Sequence, residues 1–166
     1  MKSNLKYKEA GEADRRFMRR AIALSDMSTA TGGGPFGAVI TRGDEIIAEG
    51  ENRVTVSCDP TAHAEINAIR RAAQTLGTFD LSGCHIYTSC EPCPMCLAAI
   101  YWSHIDRIYY GNTRSEAADA GFDDDFLYRE FAVDIDRRSK PMERLLGDEA
   151  ITTFEHWKDK EDKVAY

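Results

Sequence analysis

At 166 residues, 43% of them hydrophobic and 30% charged, the chain has room for one domain with a substantial core and too little for two. Twenty-one Lys and Arg against 28 Asp and Glu give a net charge of −7, which weighs against a partner held through nucleic-acid phosphates. No apolar run approaches the length of a membrane span and Met1 to Phe17 is too charged for a secretory signal, so the expected setting is cytoplasmic, with no membrane partner.

From Ala10 to about Thr31 the pattern is helical: Phe17, Ala21 and Leu24, with Met18 and Ile22, recur at spacings of three and four among arginines. Gly32-Gly33-Gly34-Pro35 stops that helix. The glycines follow a helix and precede a strand, the reverse of a phosphate-binding loop, so their expected role is to bring backbone close to a ligand. Phe36 to Thr41 and Glu45 to Glu49 read as a hairpin joined by Arg42-Gly43-Asp44. Arg53 to Asp59 reads as a loop. Pro60-Thr61 is expected to open a helix to about Leu76, with Ala62, Ile66 and Ile69 on one face, Gly77 as its stop, and His63 and Glu65 in its first turn.

Cys84 to Ser89 is expected as a buried strand, followed by a sharp turn through Cys90-Glu91-Pro92 into a helix from Cys93 to about Trp102. Ile105 to Tyr110 is another strand, ended by Gly111. Beyond it the chain is less regular, with a helical turn near Ser115 to Ala120, a charged loop over Asp134 to Lys140 and a last amphipathic helix over Asp148 to Lys160. The order α-β-β-α-β-α-β predicts a single α/β domain of three layers, a mixed central sheet flanked by helices.

The five cysteines, Cys58, Cys84, Cys90, Cys93 and Cys96, are odd in number and fit a reducing compartment, where thiols serve metals. Cys93 and Cys96 stand at a helix start, where the dipole and free N–H groups favour thiolate. His63 supplies a third ligand and Glu65 a carboxylate left over. Three ligands with one position open suit a catalytic zinc that activates water, with Glu65 moving the protons. The rival is a closed structural zinc site with Cys90 or Cys84 as fourth ligand. His85, His104 and His156 have no partner at metal spacing.

His63-Ala64-Glu65 with Pro92-Cys93-Pro94-Met95-Cys96 matches the H-x-E … P-C-x-x-C pattern of zinc nucleobase and nucleoside deaminases. Together with Gly33 to Ile40, Asp59 to Glu65, Tyr87 to Cys96 and Ala120 to Asp124, the chain resembles the bacterial guanine deaminases of the cytidine-deaminase superfamily. The resemblance runs from about Gly33 to Asp125 and includes the terminal Tyr166. It implies one Zn2+ per subunit, held by His63, Cys93 and Cys96. It implies Glu65 and Asp124 as proton shuttles, Asn52 hydrogen-bonded to the purine, Phe36 stacked on it, and Trp102 in the pocket wall. It implies a homodimer whose segment 130–166, ending in Tyr166, crosses over to cover the partner's active site; the stretch from about Glu130 to Lys163 itself resembles the family only loosely.

Guanine is therefore the first expected substrate: attack at its amino-bearing carbon needs protons delivered to the ring and to leaving ammonia, and Asn52 offers an amide that donates and accepts. Guanosine, isocytosine and aminotriazines stay open, because the motifs separate them poorly. A tRNA adenosine deaminase shares the metal pattern, but the acidic balance and Gly121-Phe122-Asp123-Asp124 weigh against it. A non-enzymatic binding module with a structural zinc is the remaining reading.

Overall fold

The computed structural model describes residues 9–165, so the position of Tyr166 lies outside the described residues. Helix α1 spans Glu12–Ala30 and buries Phe17, Ala21, Leu24 and Ser28, the stripe expected from the periodicity. Strands β1 (Gly37–Arg42) and β2 (Glu45–Glu51) form the hairpin. Ile40 pairs with Ala48 while Thr41 pairs with Ile46, which leaves Ile47 as an extra residue in a bulge. There follow α2 (Val54–Ser57), α3 (Ala64–Leu76), β3 (Cys84–Cys90), α4 (Pro94–Trp102), β4 (Arg107–Asn112) and α5 (Arg114–Asp119).

The sheet runs in the order β2-β1-β3-β4. Strand β1 is antiparallel to β2 and β3, whereas β3 and β4 are parallel, so the sheet is mixed as expected. The β3–β4 pair is parallel because α4 crosses between them, which a hairpin cannot do. Alternation along the strands divides the core in two. Val39 and Tyr87 meet Phe17, Ala21 and Leu24 of α1 on one face. Ala38, Ile40, Ala48 and Ile86 meet Ala64, Ala68 and Ala72 of α3 and Ile100 of α4 on the other. Helix, sheet and helices make three layers.

Helix α3 buries a seam of alanines where the sequence reading favoured Ile66, which is only half-buried. The cause is Gly50 on β2: a Cβ there would collide with the Ala64 carbonyl oxygen and stand 2.6 Å from Ala68 N. Small residues on both sides bring helix and strand together. The helix also starts later than Pro60. The Asp59 carboxylate accepts from Thr61 N–H at 2.8 Å and from its hydroxyl at 2.7 Å, a side-chain turn that holds the chain out of the helix until His63. His63 is the N-cap, with extended dihedrals, and Glu65 lies in the first turn. Two smaller expectations are revised as well: Val54–Ser57 is a short helix within the expected loop, and β4 continues through Gly111 to Asn112.

A division between Asp124 and Asp125 separates two compact units, ahead of the boundary at residue 130 suggested by the sequence. The first carries the whole sheet. The second holds α6 (Asp125–Ala132), a 3-10 turn (Ile135–Arg137) and α7 (Gly147–Asp159). Among its described residues, 125–165, none is buried, although Phe126, Phe131, Leu145, Leu146, Phe154 and Trp157 are large and apolar. No helix among the described residues is long and apolar enough to cross a membrane.

Candidate metal centre and the cavity around it

His63 and Cys93 occupy equivalent places, each the extended N-cap of a helix, with Pro94 following Cys93 at the first helical position. The side chains at both helix starts meet at one point. His63 Nδ1 lies 3.6 Å from Cys93 Sγ and 3.5 Å from Cys96 Sγ. A tetrahedral zinc at ordinary Zn–S and Zn–N distances sets its sulfur and nitrogen ligands about 3.6 Å apart, so the three donors fit the ion. Among the described residues, these three are the one His/Cys/Asp/Glu group close enough to share a metal. Neither Cys84 nor Cys90 joins them: Cys84 is in the core beneath α3, and Cys90 Sγ faces the Thr113 carbonyl oxygen at 3.8 Å. The closed four-ligand site therefore finds no fourth protein donor among the described residues.

The protonation of the sulfurs tells the same story. The Cys96 thiol beside it, with His63 next, holds Cys93 down to about 4. The Cys93 sulfur and burial push Cys96 well above the usual thiol range. A divalent cation would displace the remaining proton and take both sulfurs as thiolates. His63 is raised by its contact with Cys93, against desolvation; as a ligand it would be neutral.

Glu65 is 5% exposed, and burial raises its carboxyl above the ordinary range. Its Oε1 lies 3.0 Å from the Thr88 hydroxyl on β3. His63, Glu65 and Cys93 line a cavity of about 540 Å³ whose wall also includes Phe36, Asn52, Phe122 and Asp124. Burial, and then the Cys93 sulfur, raise Asp124 as well. Phe36 and Phe122 meet edge to face, with ring centroids 4.9 Å apart at 85°.

Asn52 is held on every side. Its backbone N–H donates to the Phe36 carbonyl oxygen at 3.0 Å, and its own carbonyl oxygen accepts from Ser28 Oγ at 2.8 Å. Its Oδ1 accepts from Gly34 N–H at 3.3 Å and Val54 N–H at 3.2 Å. The expectation that this amide both donates and accepts toward a ligand is thus revised: the oxygen is taken by backbone, and Nδ2 is left to donate into the cavity. A side chain at Gly34 would crowd it, since a Cβ there would stand 3.3 Å from Asn52 Cγ and Oδ1. The triglycine segment lines the cavity, as its sequence context suggested.

Of the residues singled out from sequence, His63, Glu65, Phe36, Asn52, Cys93 and Asp124 line this one cavity, and Cys96 lies directly behind. Trp102 is not in its wall; it ends α4 with 66% exposure. Thr88 and Phe122 were not picked out individually. The signal for Thr88 was available: Cys84, Ile86, Thr88 and Cys90 share one face of β3, and a hydroxyl interrupts that apolar series.

Residues 11–112 match the family model described as the cytidine and deoxycytidylate deaminase zinc-binding region. Guanine deaminase of Bacillus subtilis is 46% identical over 151 residues, 90% of this chain and 97% of that protein. The X-ray structure of guanine deaminase from Bacillus subtilis superposes with a TM-score of 0.89 at 46% identity, covering 92% of this chain and 98% of that one. A tRNA-specific adenosine deaminase of Haemophilus influenzae is 42% identical over 105 residues, 63% of this chain and 61% of that protein.

Proposed function

The chain belongs to the cytidine and deoxycytidylate deaminase zinc-binding family, and from that premise we propose that it hydrolyses guanine to xanthine and ammonia. The observation that carries guanine over a tRNA base is the extent of the likeness. It runs through nearly the whole of this chain and of the Bacillus subtilis guanine deaminase, whereas the likeness to the tRNA enzyme covers 63% of the chain. The net charge of −7 points the same way.

His63, Cys93 and Cys96 would hold one zinc per chain. Bound there, the ion supplies Lewis acidity that makes a water molecule a nucleophile near neutral pH. Everything else falls to side chains. Glu65 takes the proton of the attacking water on its carboxylate and passes it to the ring nitrogen beside the amino-bearing carbon. Asp124 helps to protonate the departing amine and regains a proton from the new C–OH as the carbonyl forms and the C–N bond breaks, so that guanine and water leave as xanthine and ammonia. The raised affinity of both carboxyls for protons suits groups that must take and return one. Asn52 Nδ2 donates to an acceptor on the ring, and Phe36, braced by Phe122, offers an apolar face to the flat base.

The protein works as a cytoplasmic homodimer in which segment 130–166 covers the partner's cavity with Tyr166, and Trp102 joins the pocket wall where the second copy packs. Support comes from the second unit, which exposes Phe154 at 65% and Leu145 at 82%, surface that a lone chain leaves in water.

The test is ammonia release by the zinc-loaded protein from guanine, guanosine, isocytosine, adenine, cytosine and cytidine. Guanine is expected to be turned over with the highest kcat/KM; release from another ring and none from guanine overturns the choice of substrate. Sedimentation is expected to give a dimer. Removing residues 162–166 is expected to lower turnover with zinc still bound, and unchanged kinetics would remove the tail from the mechanism.

A further inference from the structure

We propose that Thr88 is the positioning residue for Glu65: its hydroxyl fixes one carboxylate oxygen so that the other stays turned to the cavity. The inference rests on the deaminase reading, because it concerns the carboxyl that moves protons there.

Thr88 is 1% exposed and belongs to the face of β3 that carries Cys84, Ile86 and Cys90. A hydroxyl in such surroundings is costly unless it is bonded. Thr88 Oγ1 lies 3.0 Å from Glu65 Oε1 and 2.8 Å from the Cys90 carbonyl oxygen. It owns one proton, and the carboxylate, as the charged acceptor, has the stronger claim on it.

The meeting of these two residues is built into the sheet. Thr88 stands opposite Ala38, and Ala38 stands opposite Gly50, one row across three strands. The space that Gly50 leaves lets the first turn of α3 come down onto that row, so that Glu65 reaches across to β3. A valine would fill the space of Thr88 and remove the hydroxyl's hold, leaving the carboxyl only its own backbone N–H and the Cys96 sulfur as partners. Burial would remain and the aim would be loosened. Since aim matters in the transition state more than in binding, the effect belongs in kcat.

The experiment measures kcat, KM and bound zinc for the zinc-loaded full chain with guanine, comparing wild type, Thr88→Val and Thr88→Ser. Thr88→Val is expected to lower kcat about 10- to 100-fold, the range for a lost hydrogen bond to a charged group. KM is expected to stay within about twofold, with zinc unchanged, and Thr88→Ser to recover kcat to within about threefold. Wild-type kcat in Thr88→Val, or a loss confined to KM, overturns the proposal. If Thr88→Val does not fold, Thr88→Ala against Thr88→Ser decides, and equal kcat values overturn it. Failure of the deaminase reading shows elsewhere, in a wild type that releases no ammonia from any ring. That result ends both ideas; an active wild type with an indifferent position 88 ends only this one.

Discussion

At the metal end of the cavity every functional side chain stands on a regular element: His63 and Cys93 cap α3 and α4, Cys96 and Glu65 lie in their first turns, and Thr88 is in mid-strand on β3. At the other end Gly34, Phe36, Asn52, Phe122 and Asp124 come from connections between elements. The first group is set by the packing of helices on a sheet, and its geometry cannot drift without moving the core. The second is set by hydrogen bonds that tie loops to one another and to helix ends, such as those around Asn52. Rigid elements suit the reaction, which needs atoms placed within fractions of an ångström, and loops suit the choice of substrate.

Three substitutions test that division, beginning with the most damaging. Glu65→Gln is expected to lower kcat by about 100-fold or more with zinc content unchanged, since the amide keeps the shape and loses the base. Ammonia release with metal analysis reads both, and substantial turnover would break the assignment of proton transfer to the metal end. Asn52→Asp keeps an acceptor for Gly34 and Val54 N–H and removes the donor. KM for guanine is expected to rise about tenfold or more with kcat less affected. Equal KM values would mean that the ring does not accept from Asn52. The mildest is Gly34→Ala, whose Cβ would stand 3.3 Å from the Asn52 amide. A rise in KM of about threefold with unchanged kcat is expected, because a neighbour must shift by only a few tenths of an ångström. A fall in kcat instead would show that the two ends are coupled.

The same division governs what could be read from sequence. Cys93 and Cys96 are three positions apart in one helix turn, and His63 and Glu65 are two apart, so local geometry carries the ligand set whatever the rest of the chain does. The sheet and its layers were legible from periodicity. The start of α3 was not, because the Asp59 carboxylate bonds Thr61 and delays the helix, an effect of one side chain on backbone that composition hides. Nor was the polarity of Asn52, which depends on two backbone N–H groups, one from the glycine loop and one from the start of α2. Trp102 matched a family position, but nothing in an apolar stretch such as Ala98 to Trp102 says which side chains face inward; Ile100 does and Trp102 does not.

The seam between Gly50 and the alanines of α3 limits how such a protein can change. With backbone against backbone there is no side chain whose gradual enlargement or trimming would raise or lower the helix, and so no graded path to a different spacing between His63, Glu65 and the sheet. Mutational exploration of new substrates is channelled to the loops, where a single residue can be exchanged without the reacting groups losing their places. The chemistry is in that sense inherited as a block, while its object remains open to revision.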